Sequence, residues 1–315
     1  METLQQRGYD EIRCLVRTDP KWLSGLDVTT VRGDLSDVPA LWDALDGVTH
    51  VYHVAGITRA QDWETFHRVN VRATMNLMGA VKHAAPDVER VLVTSSLAAV
   101  GRCDAEVATE SVPLNPVSRY GRSKAQMEQA LHDPHQMTES YADALPLVIV
   151  RPPAVYGPRD RDILDFFRAV NNHVCPVVGG SGPALSLIHV QDLVRGMVDL
   201  AHASDTSGET FFLSSPRPYA WRDIRDIALD ALNTWAVTVP VPNVLVGAVG
   251  AAAELWGHLS GTYPPLNREK AREIRHACTM CSHEKASTYI NFAPEIPLDE
   301  GIDKTIAWYQ TQGWI

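Results

Sequence analysis

Tyr120 and Lys124 lie four residues apart in the segment SRYGRSKAQMEQAL. On a helix that spacing places both side chains on one face. A tyrosine titrates near pH 10, and lowering it by about three units takes roughly 4 kcal/mol of preferential phenolate stabilisation. A nearby ammonium in a desolvated cleft can supply much of this, so Tyr120 could take a proton from an alcohol or give one to a carbonyl. The pair alone is a common pattern, and its surroundings make it informative. Upstream, RVLVTSSLAAVG ends an apolar run with Ser95 and Ser96, and downstream LVIVRPPAVYGP ends another in a proline-rich loop. Parallel sheets carry their chemistry at the carboxyl ends of such strands.

The elements that must hold these residues read as an alternation. From residue 10 to 157, β-branched runs (EIRCLV, VTTVR, THVYHV, RVLVTS, LPLVIVR) alternate with amphipathic stretches near 37–45, 62–84 and 116–132. This is the pattern of a parallel sheet wound with helices, an α/β fold. After VYGPRD the rhythm changes to a helix ILDFFRAV, a turn VVGGSG, a short strand LSLIHV and helices separated by prolines. A doubly wound sheet with a smaller, mainly helical region is the predicted architecture. At the N-terminus, Leu4 to Gly8 reads as the last turn of a helix stopped by glycine.

Composition narrows the function. A chain of 315 residues with 45% hydrophobic content can bury a full core. A net charge of −10 without any Lys/Arg block argues against nucleic-acid binding, which needs a concentrated basic surface. A small-molecule substrate is expected instead. Five scattered cysteines (Cys14, Cys103, Cys175, Cys278, Cys281) and a polar start without a signal-peptide core predict a cytoplasmic location. The apolar stretch VLVGAVGAAAELW is broken by Glu254 and falls short of the roughly 20 residues that span a bilayer, so a packed helix is expected there. HACTMCSH has one CxxC and no second pair at zinc-site spacing, so no metal site is expected.

Taken in order, VYHVAG, VTSSLAAVG, YGRSK, RPPAVYGP and IHVQDL resemble the extended short-chain dehydrogenase/reductase family, and LNREKAREI, EKASTYINFAPEIPLDEGI and TIAWYQTQGW extend the likeness. The resemblance implies a Rossmann-type NAD(P)-binding domain from 1–157 and 187–213, and a substrate-binding region from 158–186 and 214–315. It also implies a homodimer. Ser96 would hydrogen-bond the reacting oxygen, Tyr120 would exchange the proton, and Lys124 would hold the nicotinamide ribose while lowering the tyrosine pKa. Cofactor contacts would come from Asp34 and Leu35 (adenine), Ala55 and Gly56 (close backbone approach), Ser95 at a strand end, and Pro152, Pro153 and Val155 beside the nicotinamide. Arg17 follows the EIRCLV strand, where an arginine accommodates the 2′-phosphate of NADP, so the cofactor expectation, NAD(P), leans slightly to NADP.

Structural roles are expected for Asn70, His189 and Asp192; Arg159, Asp160, Ser186 and Arg222 are polar candidates for the substrate region. Leu97 and Ala98 replace the acidic pair that dehydratase members carry, and AVG replaces the VYG of sugar-nucleotide epimerases. The favoured expectation is an oxidoreductase acting on a secondary alcohol or ketone, as in hydroxysteroid dehydrogenase-like and dihydroflavonol reductase-like members. A nucleotide-sugar epimerase is the alternative, and a non-catalytic binding relative a further one. In the family a strand and a GxxGxxG turn precede the helix that ends here as LQQRG. The expectation is therefore that about 17–20 further residues precede Met1 and supply a strand between EIRCLV and THVYHV.

Overall fold

The computed structural model describes residues 1–134, 138–178, 184–241 and 268–315. VLVGAVGAAAELW and most of VVGGSG lie outside the described residues. The chain forms two compact units: Met1–Ser95, Ser123–Val150 and Val194–Thr210 make the first, and Ser96–Arg122, Arg151–Leu193 and Phe211–Ile315 the second.

In the first unit the short helix α1 (Glu2–Gln6) ends at Gly8, whose φ of 84° is the left-handed turn foreseen from sequence. Strand β1 (Arg13–Val16) then pairs in parallel with β2 (Thr29–Arg32). A separate sheet has the order β3 (His50–His53), β4 (Arg90–Thr94), β5 (Leu147–Val150), β9 (Glu209–Phe211), with β3, β4 and β5 parallel. RVLVT and LVIV are continuous apolar runs, as parallel strands covered on both faces require. Val91, Leu92, Val93, Val148 and Val150 are accordingly fully buried. Helix α2 (Val38–Leu45) is capped by Asp37, which accepts from Ala40 N.

The single helix expected over 62–84 is three pieces. α3 (Trp63–Phe66) is capped by Asp62; a π-helical segment follows at His67–Arg72; and α4 (Ala73–Ala84) packs Leu77, Met78 and Val81 into the core with Val91 and Val93. Such π segments cost hydrogen-bond geometry and concentrate at functional sites. Here it carries Asn70. Helix α5 (Arg119–His132) starts in the second unit and continues into the first. α6 (Tyr141–Ala144) lies in the first unit, and α8 (Val190–His202) begins in the second and ends in the first.

The second unit holds two small parallel pairs, β6 (Ala154–Tyr156) with β8 (Leu187–His189) and β7 (Val174–Val178) with β10 (Val237–Val241). Its core joins Tyr156, Phe167, Val170, Ile224, Ile302 and Tyr309. These come in large part from α7 (Leu164–Asn171), α9 (Trp221–Ala231) and α12 (Leu298–Thr311). Helices α10 (Arg268–His276) and α11 (Glu284–Ile290) complete the described set. Cys103 and Cys278 form a disulfide across 175 residues, with Cα atoms 5.8 Å apart. Their spacing gave no sign of this, because pairing follows the fold and not the sequence interval. Cys14, Cys175 and Cys281 are free and buried. Among the described residues no helix is long and apolar enough to cross a membrane, and no cluster of His, Cys, Asp and Glu is arranged to hold a metal ion.

Candidate active site

In the first unit the site is built at the carboxyl end of β4. Lys124 is 5% exposed, and its Nζ donates to the carbonyl oxygen of Thr94 at 2.7 Å. Burial lowers its pKa to about 8, against which the negative charge of Glu128 acts to raise it. Ser95 was expected beside the cofactor; it is buried, and its hydroxyl donates to Glu128.

Asn70 ties the loop after β3 to α5. Its Oδ1 accepts from Ile57 N at 2.9 Å, and its Nδ2 donates to Ile57 O and to Ser123 Oγ, each at 2.9 Å. This is the structural role expected of it. Ala55 and Gly56 are exposed on that loop. A Cβ at Gly56 would stand 3.2 Å from Asn70 Oδ1 and 3.4 Å from Lys124 Nζ. Only glycine therefore leaves the space over these groups open.

A cavity of about 1810 Å³ adjoins this loop, and Arg17, Asp34, Leu35, Ala55 and Gly56 all line it. Asp34 accepts from the Ser36 hydroxyl and amide, bonds that hold its carboxyl below the usual carboxylate range. Asn76 fixes Leu35 through its carbonyl at 3.0 Å. The cavity is lined by consecutive residues, Glu11 to Leu15 along β1 and Thr49 to Gly56 along β3. Side chains alternate between the faces of a strand, so lining by consecutive residues means that both strands meet the cavity edge-on.

In the second unit Ser96 caps the 3₁₀ turn Leu97–Ala99, accepting from Ala98 N at 3.1 Å. The Tyr120 hydroxyl hydrogen-bonds Ser96. Leu97 N donates to Pro152 O at 2.9 Å, which ties the serine turn to the proline loop. Pro152 and Pro153 are buried and Val155 half-buried. Ser95, in the first unit, is not among the residues that line the cavity.

The electrostatics of Tyr120 differ from the sequence expectation of a lowered pKa. Burial pushes it up to about 12, the Ser96 hydrogen bond opposes this, and the negative charges of Glu273 and Asp162 add to it. The physical reason is that desolvation outweighs the hydrogen bond while the neighbouring ionised groups are acids. Tyr120 therefore holds its proton at neutral pH. Glu273 was missed from sequence: Ser118 Oγ donates to it at 2.5 Å, while accepting from Gly121 N at 3.0 Å. The only signal was the i, i+4 acid pair Glu269 and Glu273 in LNREKAREI, which does not say what it faces.

The remaining candidates lie in the second unit. Asp192 accepts from Glu295 N and Ile296 N at 3.0 Å each, and His189 is buried with its pKa lowered to about 4. Asp160 accepts from Ile163 N at 2.7 Å at the start of α7. Ser186 Oγ accepts from Cys281 N at 3.0 Å. Arg159 and Arg222 are exposed.

The parallel strand pairing, wound with helices, is that of Rossmann-type α/β enzymes. Residues 1–213 match the NAD dependent epimerase/dehydratase family, and the chain belongs to that family. It is 28% identical over 328 aligned positions to the ceramide reductase of Caulobacter vibrioides, covering 100% of this chain and 91% of the relative. It is 24% identical over 291 residues to the bovine (Bos taurus) sterol-4-alpha-carboxylate 3-dehydrogenase, decarboxylating, covering 87% and 79%. Among solved structures, that of gox2253 superposes with a TM-score of 0.80 at 26% identity, covering 99% and 94% of the two chains.

Proposed function

We propose that the protein is an NAD(P)-dependent oxidoreductase that interconverts a ketone and a secondary alcohol through Ser96, Tyr120 and Lys124. The observation that carries this reading is a protonated Tyr120 held on Ser96, one helical turn before a buried ammonium fixed to the end of β4. The names of two relatives, a reductase and a 3-dehydrogenase, support it.

The residues present suit a dinucleotide: the bare Gly56 leaves room over Asn70 and Lys124, and Arg17, Asp34, Leu35 and Ala55 share the adjoining cavity. When bound, the nicotinamide supplies or accepts the hydride. Lys124 holds the ribose, and the exposed Arg17, beyond β1, accommodates a 2′-phosphate, which favours NADP. Ser96 Oγ orients the substrate oxygen. Tyr120 Oη gives its proton to that oxygen during reduction and recovers it during oxidation, the acid–base role that its hydrogen bond to Ser96 prepares.

Titration of the full-length chain with NADH and NADPH, read by nicotinamide fluorescence, tests the reading. Binding, followed by a stoichiometric absorbance change at 340 nm (a property of the nicotinamide) with a ketone substrate, is the expected result. Folded protein that binds neither dinucleotide sinks the proposal. Exchange at a sugar carbon without net cofactor change would replace it with an epimerase.

A further inference from the structure

Glu128 is 3% exposed, an acid in the core on the helix that carries the active-site lysine. Removing a charge from water costs several kcal/mol unless it is paired and hydrogen-bonded. Glu128 follows Lys124 by one helical turn, so the two side chains share a face of α5. Both are fastened to the end of β4 through adjacent residues: Lys124 Nζ donates to Thr94 O at 2.7 Å, and Ser95 Oγ donates to Glu128 Oε1. Lysine, carbonyl, serine and glutamate thus link one turn of helix to two residues of strand end. We propose that Glu128 is a positioning residue: the counter-charge that keeps the Lys124 ammonium protonated and fixed at the end of β4, where it holds the cofactor ribose. The inference rests on the oxidoreductase reading for what Lys124 binds, and on the structure alone for what Glu128 does to Lys124.

The other groups that face Lys124 do not take this role. From β3, His53 is buried with its Nε2 on Thr74 Oγ1 at 2.8 Å, and its pKa is lowered to about 4, so it is neutral across the physiological range. From the π segment, Asn70 is an amide committed to Ile57 and Ser123. From the end of β4, Thr94 offers Lys124 an uncharged carbonyl, and the hydroxyl of the next residue, Ser95, is taken by Glu128. Among these groups Glu128 is the one whose negative charge opposes the lowering that burial imposes on Lys124.

The test uses the full-length chain and Glu128→Gln, which keeps the shape and an acceptor for Ser95 but removes the charge. Lys124 is titrated by NMR of labelled lysine side chains, its signal assigned by comparison with Lys124→Met, and the affinities for NADH and NADPH are measured across the same pH range. The Lys124 midpoint is expected to fall by about one unit in Glu128→Gln, with NADH affinity at pH 8 weakened roughly fivefold and that at pH 6 nearly unchanged. Glu128→Asp should restore most of both. An unmoved midpoint in folded Glu128→Gln overturns the inference. If neither NADH nor NADPH binds either protein while the midpoint moves, the oxidoreductase reading fails and the role of Glu128 stands. Should Glu128→Gln not fold, thermal midpoints of Lys124→Met and Lys124→Met/Glu128→Gln decide. A double variant more stable than Lys124→Met alone shows the buried charge left without its partner, and equal or lower stability overturns the pairing.

Discussion

Replacing Gly121 by alanine should damage this protein, although the same change in an ordinary helix interior would stabilise it by about 1 kcal/mol. Gly121 is the third residue of α5, directly after Tyr120. A Cβ there would overlap the carbonyl oxygen of Ala98 and stand 3.0 Å from its carbon and 3.3 Å from Pro116 Cβ. The obstruction is backbone in the turn that Ser96 caps, so no side-chain rotation relieves it. The first turn of α5 and the serine turn must separate by on the order of 1 Å, and overpacking of this kind costs roughly 1–3 kcal/mol. Because the obstacle is rigid, we take the upper part of that range and expect a net loss of about 2 kcal/mol. The same displacement pulls Tyr120 from Ser96, and a misplacement of about 1 Å at a reacting group can cost on the order of 100-fold in rate. Thermal unfolding gives the stability term and kcat/KM for ketone reduction the positional one, with exposed Gln129→Ala on the same helix as the control. A Gly121→Ala protein more stable than the parent, with unchanged turnover, would refute the argument.

Acid should weaken the fold through His53. Its folded pKa, about 4, is below its ordinary value of 6.5, so the unfolded chain takes up the proton first. The stability due to neutral His53 is complete above pH 6.5 and is lost as pH falls toward 4, at about 1.4 kcal/mol per pH unit. Urea midpoints measured from pH 7 to 4 should fall less steeply in His53→Gln than in the parent; parallel lines would dismiss the assignment. A second expectation concerns the cavity that β1 and β3 meet edge-on. A segment of about six β-branched apolar residues, fused upstream of Met1 through a glycine-containing turn and helical spacer, should pair with both edges. Slower hydrogen exchange at β1 and β3 amides and a higher thermal midpoint would show it, whereas unchanged exchange would mean that the gap does not accept a strand.

How much was legible depended on whether a feature is local. RVLVTS and LPLVIVR were readable as buried strands because their apolar runs are continuous, and the structure places β4 and β5 there. Asp37 and Asp62 start helices where an acid precedes an apolar-periodic run. The π segment at His67–Arg72 was not legible, since its one-residue widening leaves the apolar period nearly unchanged. Nor were the Cys103–Cys278 pairing or the contact of Ser118 with Glu273, 155 residues away. Ser95 shows the same limit at short range. Its position at a strand end was correct, but only the fold shows that its hydroxyl turns to Glu128. The raised pKa of Tyr120 belongs here too, because spacing locates the lysine and says nothing about the burial that the fold imposes or the acids, Glu273 and Asp162, that it brings near.

The two parts of the candidate site stand on supports of unequal strength. Lys124 and its partners hang from β4, whose residues from Arg90 to Val93 are all buried and whose two neighbours in the sheet are both in place. The cavity is bounded by β1 and β3, which among the described residues pair with β2 and with β4 and with no other strand. Strand edges left without a ladder partner open more readily than buried ones, so Arg17, Asp34 and the Ala55–Gly56 loop are held less firmly than Thr94 and Lys124. Ordering a binding surface draws on the energy of the ligand that binds it. Cofactor affinity should therefore respond to anything that stiffens β1 and β3, while the geometry of Lys124, anchored on β4, should not. In the strand-fusion experiment this separates the two parts: dinucleotide affinity should rise while the Lys124 titration stays where it was.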